Sequence, residues 1–166
     1  MANTLAQWFA TNLGGKISAE LIIFLVSMIP ILELRGGLIV ASLLKVSMWR
    51  AIPICIIGNI IPVPFILLLV DRIFELLKKT KLRGFVTGLE NRALSKSDSI
   101  RKGEFVGLML FVGIPLPGTG AWTGSLIASL LKIKNKKAVP AILLGLLLAT
   151  VIMSALSYGV LGKVVG

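Results

Sequence analysis

PILELRGGLIVASLLKVSMWRAIPICIIG, residues 30–58, returns later in the chain as PGTGAWTGSLIASLLKIKNKKAVPAILLG, residues 117–145. The two align without a gap and share ten identities, among them the run Ala41-Ser42-Leu43-Leu44-Lys45 against Ala128-Ser129-Leu130-Leu131-Lys132. Pro30, Gly37, Ala51, Pro53 and Gly58 meet Pro117, Gly124, Ala138, Pro140 and Gly145. Each copy reads as an apolar run, a Pro/Gly-broken polar tip, a second apolar run, a basic turn and a long apolar helix. Membrane proteins built from two such halves place their site where the broken segments meet. The first tip carries Glu33 and Arg35, a charged pair inside an apolar segment.

Composition puts this repeat in a membrane. The 166 residues allow one domain or two fused halves. A hydrophobic content of 56% and a mean hydropathy of +0.96 are too high for an ordinary soluble domain. Residues 1–16 lack the basic start and apolar core of a secretory signal. Leu5, Trp8, Phe9 and Leu13 share one helical face there, which predicts a short interfacial helix. Cys55, the only cysteine, has no internal partner and reads as a small core hydrophobe. The chain has no histidine, so the commonest metal ligand and proton shuttle are missing. No metal-ligand cluster, nucleophile–base pair or cofactor motif is visible, and neither an enzyme nor a cofactor is expected.

Half of the eighteen Lys and Arg fall in residues 71–104: Arg72, Lys78, Lys79, Lys81, Arg83, Arg92, Lys96, Arg101 and Lys102. Such a cluster suits either nucleic acid or the cytoplasmic loop of a membrane protein, where Lys and Arg accumulate. No aromatic-and-basic module accompanies it, so a loop is expected and a nucleic-acid partner is not.

Residues 51–70 and 138–162 carry no charge and are long enough to span about 30 Å of hydrocarbon. Pro53, Pro62 and Pro64 should bend or unwind the first of them. Residues 21–44 and 105–131 are too short to cross twice, which takes about forty residues. Each is either a broken spanning helix or a re-entrant hairpin. In the hairpin reading the halves are inverted, with thirteen Lys and Arg on the linker side and four on the other. In the broken-helix reading the split is eleven to six. The hairpin reading gives the cleaner positive-inside asymmetry. The fold expected is all-α and integral to the membrane, an inverted repeat of re-entrant helical hairpin plus transmembrane helix. Its parts are an interfacial helix at 1–16, one repeat at 17–70, a basic cytoplasmic linker at 71–104 and a second repeat at 105–166. The linker should hold an amphipathic surface helix with Ile73, Leu76 and Leu77 toward lipid. Both tips, 33–37 and 115–124, should meet near the midplane.

The candidate site follows from that meeting. A charge at bilayer depth costs about 2.5–3.5 kcal/mol on insertion scales and usually marks a substrate or ion path. Glu33 could serve a proton or cation and Arg35 an anion, with Gly36 and Gly37 completing the tip. The lesser alternative is that the two neutralise each other or tie one tip to the other. The second tip offers backbone instead: Gly118, Gly120 and Gly124 permit close approach, and Thr119 and Thr123 add hydroxyls. A half-helix starting near Trp122 would point its N–H groups at the tip, where they attract anions. Set beside Arg35, it could hold a phosphate or carboxylate. Asn59, next to Gly58, could hydrogen-bond the tips or coordinate an ion.

At Pro30–Gly37, Gly58-Asn59-x-x-Pro62 and Pro115–Gly124 the chain resembles the small multidrug export family, over roughly residues 20–160. That family is distantly similar to the DedA/VTT membrane proteins, whose halves carry re-entrant hairpins with acidic and arginine residues at their tips. The resemblance implies a transporter-like fold and gives Glu33 and Arg35 a role by position. The second half here lacks the charges that DedA-type proteins carry in theirs. The function expected is transport of a small or amphiphilic solute across the cytoplasmic (inner) membrane, coupled to protons or another ion. The alternatives are a flippase for an anionic lipid carrier such as polyprenyl phosphate, and a non-transporting membrane scaffold. Membrane lipids and the solute are the expected partners, with a second copy of the chain forming a homodimer around the polar tips.

Overall fold

The computed structural model describes residues 18–97, 100 and 103–161. The interfacial helix expected at 1–16 lies outside the described residues. Helix α1, Ala19–Met28, begins at Ser18, whose hydroxyl accepts the Leu21 N–H at 3.3 Å. It ends where Pro30 forces Ile29 into an extended conformation. Helix α2, Glu33–Leu43, restarts four residues later and packs on α1. Helices α3, Met48–Ile60, and α4, Pro62–Lys78, are almost one rod, because Ile61 between them keeps helical angles. Pro62 and Pro64 withhold the N–H groups that would bond the Gly58 and Ile60 carbonyls, and the ladder weakens there.

The second half follows the same plan. After α5, Arg83–Leu94, come α6, Glu104–Gly113, and α7, Ala121–Leu130, separated by the loop 114–120. Helix α8, Asn135–Ser154, runs on into a π-helical stretch, Ala155–Leu161. Met48–Val70 and Asn135–Gly159 are long and apolar enough to cross a membrane. No strand occurs among the described residues.

The sequence repeat is also a repeat of backbone geometry. Lys45 and Lys132 both take a left-handed φ of 55°. In each case the lysine N–H bonds the serine carbonyl three residues back, at 3.1 and 2.8 Å, and the next N–H bonds the alanine carbonyl, at 3.0 and 2.9 Å. This is the Schellman ending of a helix, with lysine where glycine is usual. The shared Ala-Ser-Leu-Leu-Lys is therefore a stop signal used twice. Pro53 and Pro140 lie inside the long helices that follow.

Two expectations about boundaries change. The first break falls at residues 29–32, and Glu33 to Gly37 belong to the first turns of α2 rather than to an extended tip. Pro30 sets that break. Gly36 and Gly37 lie in the helix as glycines because their neighbours leave no room for a side chain. A Cβ on Gly37 would strike Ser27 Oγ and lie 2.8 Å from Cys55 Sγ. Residues 71–78 continue α4 instead of starting a separate surface helix, and Ile73 and Leu76 prolong the exposed apolar face of Phe65, Leu68 and Leu69.

Packing then assembles the halves. α3 lies on α1 and α2, α6 lies along α8, α4 crosses to pack on α7, and α8 also touches α2. Ile22, Ile23, Leu34, Leu38, Leu108, Ile127, Ile142 and Leu146 are fully buried between them. Thr150 bonds back to the Leu146 carbonyl at 2.7 Å as expected of a helix hydroxyl, whereas Ser154 and Ser157 have no hydroxyl partner.

Candidate functional site

The two charges of the first tip reach the two helix ends that the second half leaves open. Glu33 takes a φ of 50°, a conformation that costs an ordinary residue of order 1 kcal/mol. Its carboxylate accepts the Ala121 N–H at 3.2 Å and the Trp122 N–H at 3.0 Å. These are orphan donors of α7's first turn, at the positive end of its dipole. Arg35 stands two residues on. Its Nη1 donates to the Leu116 carbonyl at 2.7 Å, and Nη2 to the Ile114 carbonyl at 3.2 Å and Thr119 Oγ1 at 3.0 Å. Ile114 caps the C-terminus of α6, where the dipole is negative. An anion therefore meets the positive helix end and a cation the negative one.

Glycine makes the contact possible. Gly120 has φ 135° and ψ −176°, a region open only to glycine. A Cβ there would collide with Glu33 Oε2 and lie 2.7 Å from its Cδ. Gly118, with φ 76°, turns the loop so that its carbonyl accepts Lys96 Nζ at 2.9 Å. Thr119 sits among the carbonyls that Arg35 binds. Asn59 is buried and faces the Glu33 carboxylate, but neither end of its amide reaches a partner at hydrogen-bond geometry. Trp122 is half-buried, with its indole Nε1 buried and unpartnered. Thr123 is half-buried in the first turn of α7 and bonds to neither charge.

The structure thus brings Glu33, Arg35, Asn59, Gly118, Thr119, Gly120 and Trp122 together. Gly36 and Gly37 support them from behind: Gly36 packs on Leu32, Gly37 on Ser27 and Cys55. The expected pocket between Arg35 and the start of α7 is replaced by direct pairing. The α7 N–H groups meet Glu33, and Arg35 meets carbonyls, because each partner sits nearer than any solute could. In the sequence Lys96 is only one of many linker charges. Nothing in its local sequence announces the contact with Gly118.

Two apolar grooves border the junction. One, of 560 Å³, is lined by Gly107, Leu110, Phe111, Ile114, Leu116 and Thr119. The other, of 450 Å³, lies between Met28, α4 and the Trp122 ring.

Residues 33–152 match the family described as "Putative small multi-drug export protein". The chain belongs to that family. The matched segment begins at Glu33 and holds both tips, the first long apolar helix, α5 and most of the second long apolar helix. Together with the two long apolar helices, membership of this export family makes the chain a membrane protein. The comparisons find no matching curated protein and no matching solved structure.

Proposed function

We propose that this member of the small multi-drug export family is a non-enzymatic carrier of a small or amphiphilic solute across the cytoplasmic membrane. One observation carries the reading. The joint between the halves closes on a buried carboxylate whose bonds to α7 are strong only while it is charged. A proton arriving at Glu33 weakens that joint. α7 and the loop before it are then free to shift against α2, which is the kind of two-state contact an alternating carrier needs. Arg35 holds the other helix end throughout and keeps the loop in register.

The finer architecture belongs to this proposal. α1 and α2 lie side by side, about 15 Å long each, which suits a hairpin entering and leaving by one face. On this reading the halves are inverted, the chain is multi-pass in the inner membrane, and the linker faces the cytoplasm. A distant likeness to DedA/VTT proteins is supported by the acidic and arginine residues at a hairpin tip. A homodimer is proposed because two full spans enclose little on their own.

A second reading, a flippase for an anionic lipid carrier, is favoured by the groove that ends at Thr119, one bond from Arg35. A scaffold would show the same pairing without any need to break it. Vesicles holding the purified protein separate these readings. With a pH gradient and ethidium as the amphiphilic probe, wild type should move dye and Glu33→Gln should not. Equal flux in wild type, Glu33→Gln and protein-free vesicles would overturn the carrier reading.

A further inference from the structure

Four cations, Lys78, Lys79, Lys81 and Arg83, stand at the turn that joins α4 to α5, and no acid lies between Glu75 and Glu90. Thr80 holds the turn: its hydroxyl donates to the Leu77 carbonyl at 2.7 Å and accepts the Leu82 N–H at 3.2 Å. Lys78 pairs with Glu90 across the hairpin at 2.6 Å. Lys79, Lys81 and Arg83 are exposed and make no ion pair among the described residues.

The same hairpin exposes apolar side chains. Leu82, Phe85 and Leu89 are 50%, 67% and 37% exposed. Their spacing of three and four residues puts them on one face of α5. By the same helical spacing Thr87 and Asn91 lie on the opposite face, while Val86 and Ala93 are buried. A loop in open water gains nothing from an apolar stripe beside its cations. A helix lying in a headgroup layer uses both.

The position of the hairpin says what covers that stripe. α4 continues a helix whose stretch Met48–Val70 is long and apolar enough to span. Exposed Ile73 and Leu76 stand three and six residues past Val70, about 5 and 9 Å along the helix. The headgroup layer on each side of a bilayer is about 5–8 Å thick, so the start of the hairpin lies within it. The far end of the hairpin is fixed as well. α5 packs on α4 and α7, and Lys96 just beyond it donates to the Gly118 carbonyl at 2.9 Å. The hairpin is therefore held beside the bilayer surface that α4 leaves.

We infer that the α4–α5 hairpin is a docking surface for anionic phospholipid in that leaflet. Leu82, Phe85 and Leu89 enter the headgroup layer, and Lys79, Lys81 and Arg83 hold lipid phosphates. The uncompensated cations match the lipid in charge, and a basic cluster directly after a span is where such lipids gather. The inference needs no assumption about what the protein carries.

A local quenching experiment on the full chain in nanodiscs reads the lipid beside the hairpin. An NBD fluorophore is attached to Phe85→Cys or, as the control, to Thr87→Cys, each in a Cys55→Ser background. The bilayer is phosphatidylcholine with a trace of either phosphatidylglycerol or phosphatidylcholine carrying a doxyl quencher near its headgroup. At position 85 the phosphatidylglycerol quencher should act about threefold or more as strongly as the phosphatidylcholine quencher. At position 87 both should act weakly. Replacing Lys79, Lys81 and Arg83 together by Gln should bring the ratio at position 85 to about one. So should 1 M NaCl, where the screening length is about 3 Å, and this arm serves where the triple variant does not fold. Equal quenching by the two lipids in the unsubstituted hairpin would overturn the inference, because the apolar stripe would then meet the bilayer without choosing anions. An apolar emission spectrum that neither lipid quenches would overturn it too, since a second copy or another protein would then cover the stripe. A water-like spectrum at position 85 would place the hairpin off the bilayer, with the same consequence.

Discussion

Gly120→Ala tests the junction at its tightest point. The backbone there, φ 135° and ψ −176°, costs a residue with a Cβ about 1–3 kcal/mol. The added carbon also cannot coexist with the Glu33 carboxylate, whose Oε1 would lie 2.8 Å away and Oε2 closer still. Displacing the carboxylate breaks its bonds to Ala121 and Trp122, each worth about 1.5 kcal/mol or more for a charged acceptor. The sum is a loss of about 4 kcal/mol or more. Gly88→Ala is the control. It sits in α5 with nothing within 4 Å of a new Cβ, and it should gain about 0.5–1 kcal/mol from helix propensity. Unfolding in mixed micelles, titrated with a denaturing detergent, gives both values. The decisive measurement is the double variant. In a Glu33→Ala background the collision partner is gone, so Gly120→Ala should cost only its backbone strain. The double variant should therefore be about 3 kcal/mol more stable than the sum of the two single losses predicts. Additivity within about 0.5 kcal/mol would refute the reasoning, because it would mean that Gly120 and Glu33 do not meet.

Three further outcomes follow from the same geometry. Arg35→Lys keeps the charge but replaces the planar fork, whose two nitrogens share two carbonyls and a hydroxyl, with a single nitrogen, so stability should fall by about 1–3 kcal/mol in the same titration. Lys45→Gly and Lys132→Gly relieve left-handed φ values of 55°, and each should raise stability by about 0.5–1 kcal/mol, with matching effects in the two halves. On the inverted reading, single cysteines at the exposed positions Ser47 and Lys81, in a Cys55→Ser background, should label from opposite sides of intact cells with an impermeant thiol reagent. Labelling of both from one side would sink the inverted arrangement.

Much of the fold was legible because its signals are local. Pro30 ends α1, the Ala-Ser-Leu-Leu-Lys stop ends α2 and α7, and two uncharged runs give the long helices. Charged side chains in apolar sequence marked the junction for the same reason: only a partner could keep them there. The identity of those partners was not legible. Carbonyls and N–H groups are present at every residue, so no sequence says that Ile114, Leu116, Ala121 and Trp122 are the ones left open. That depends on where α6 stops and α7 starts. Lys96 escaped for the related reason that its acceptor, the Gly118 carbonyl, carries no side-chain signature.

The asymmetry of the repeat then has a physical cause. A break in an apolar segment exposes one positive and one negative helix end, and no water in hydrocarbon can satisfy them. Two breaks facing each other need one set of charges between them. A second pair at Gly120 and Trp122 would bring like charges against Glu33 and Arg35 in the same small volume. The first copy supplies the charges, held by a strained Glu33, and the second supplies open backbone, held by glycines at 118 and 120. φ is positive both at Glu33, 50°, and at the repeat-related Gly120, 135°, so each copy turns where its second half-helix begins. One bend needs a carboxylate and the other must have no side chain at all, because the carboxylate occupies that place. The missing charges of the second half are thus the complement of the first half's charges. With glycine and tryptophan at the positions related to Glu33 and Arg35, the direct tip-to-tip joint is possible.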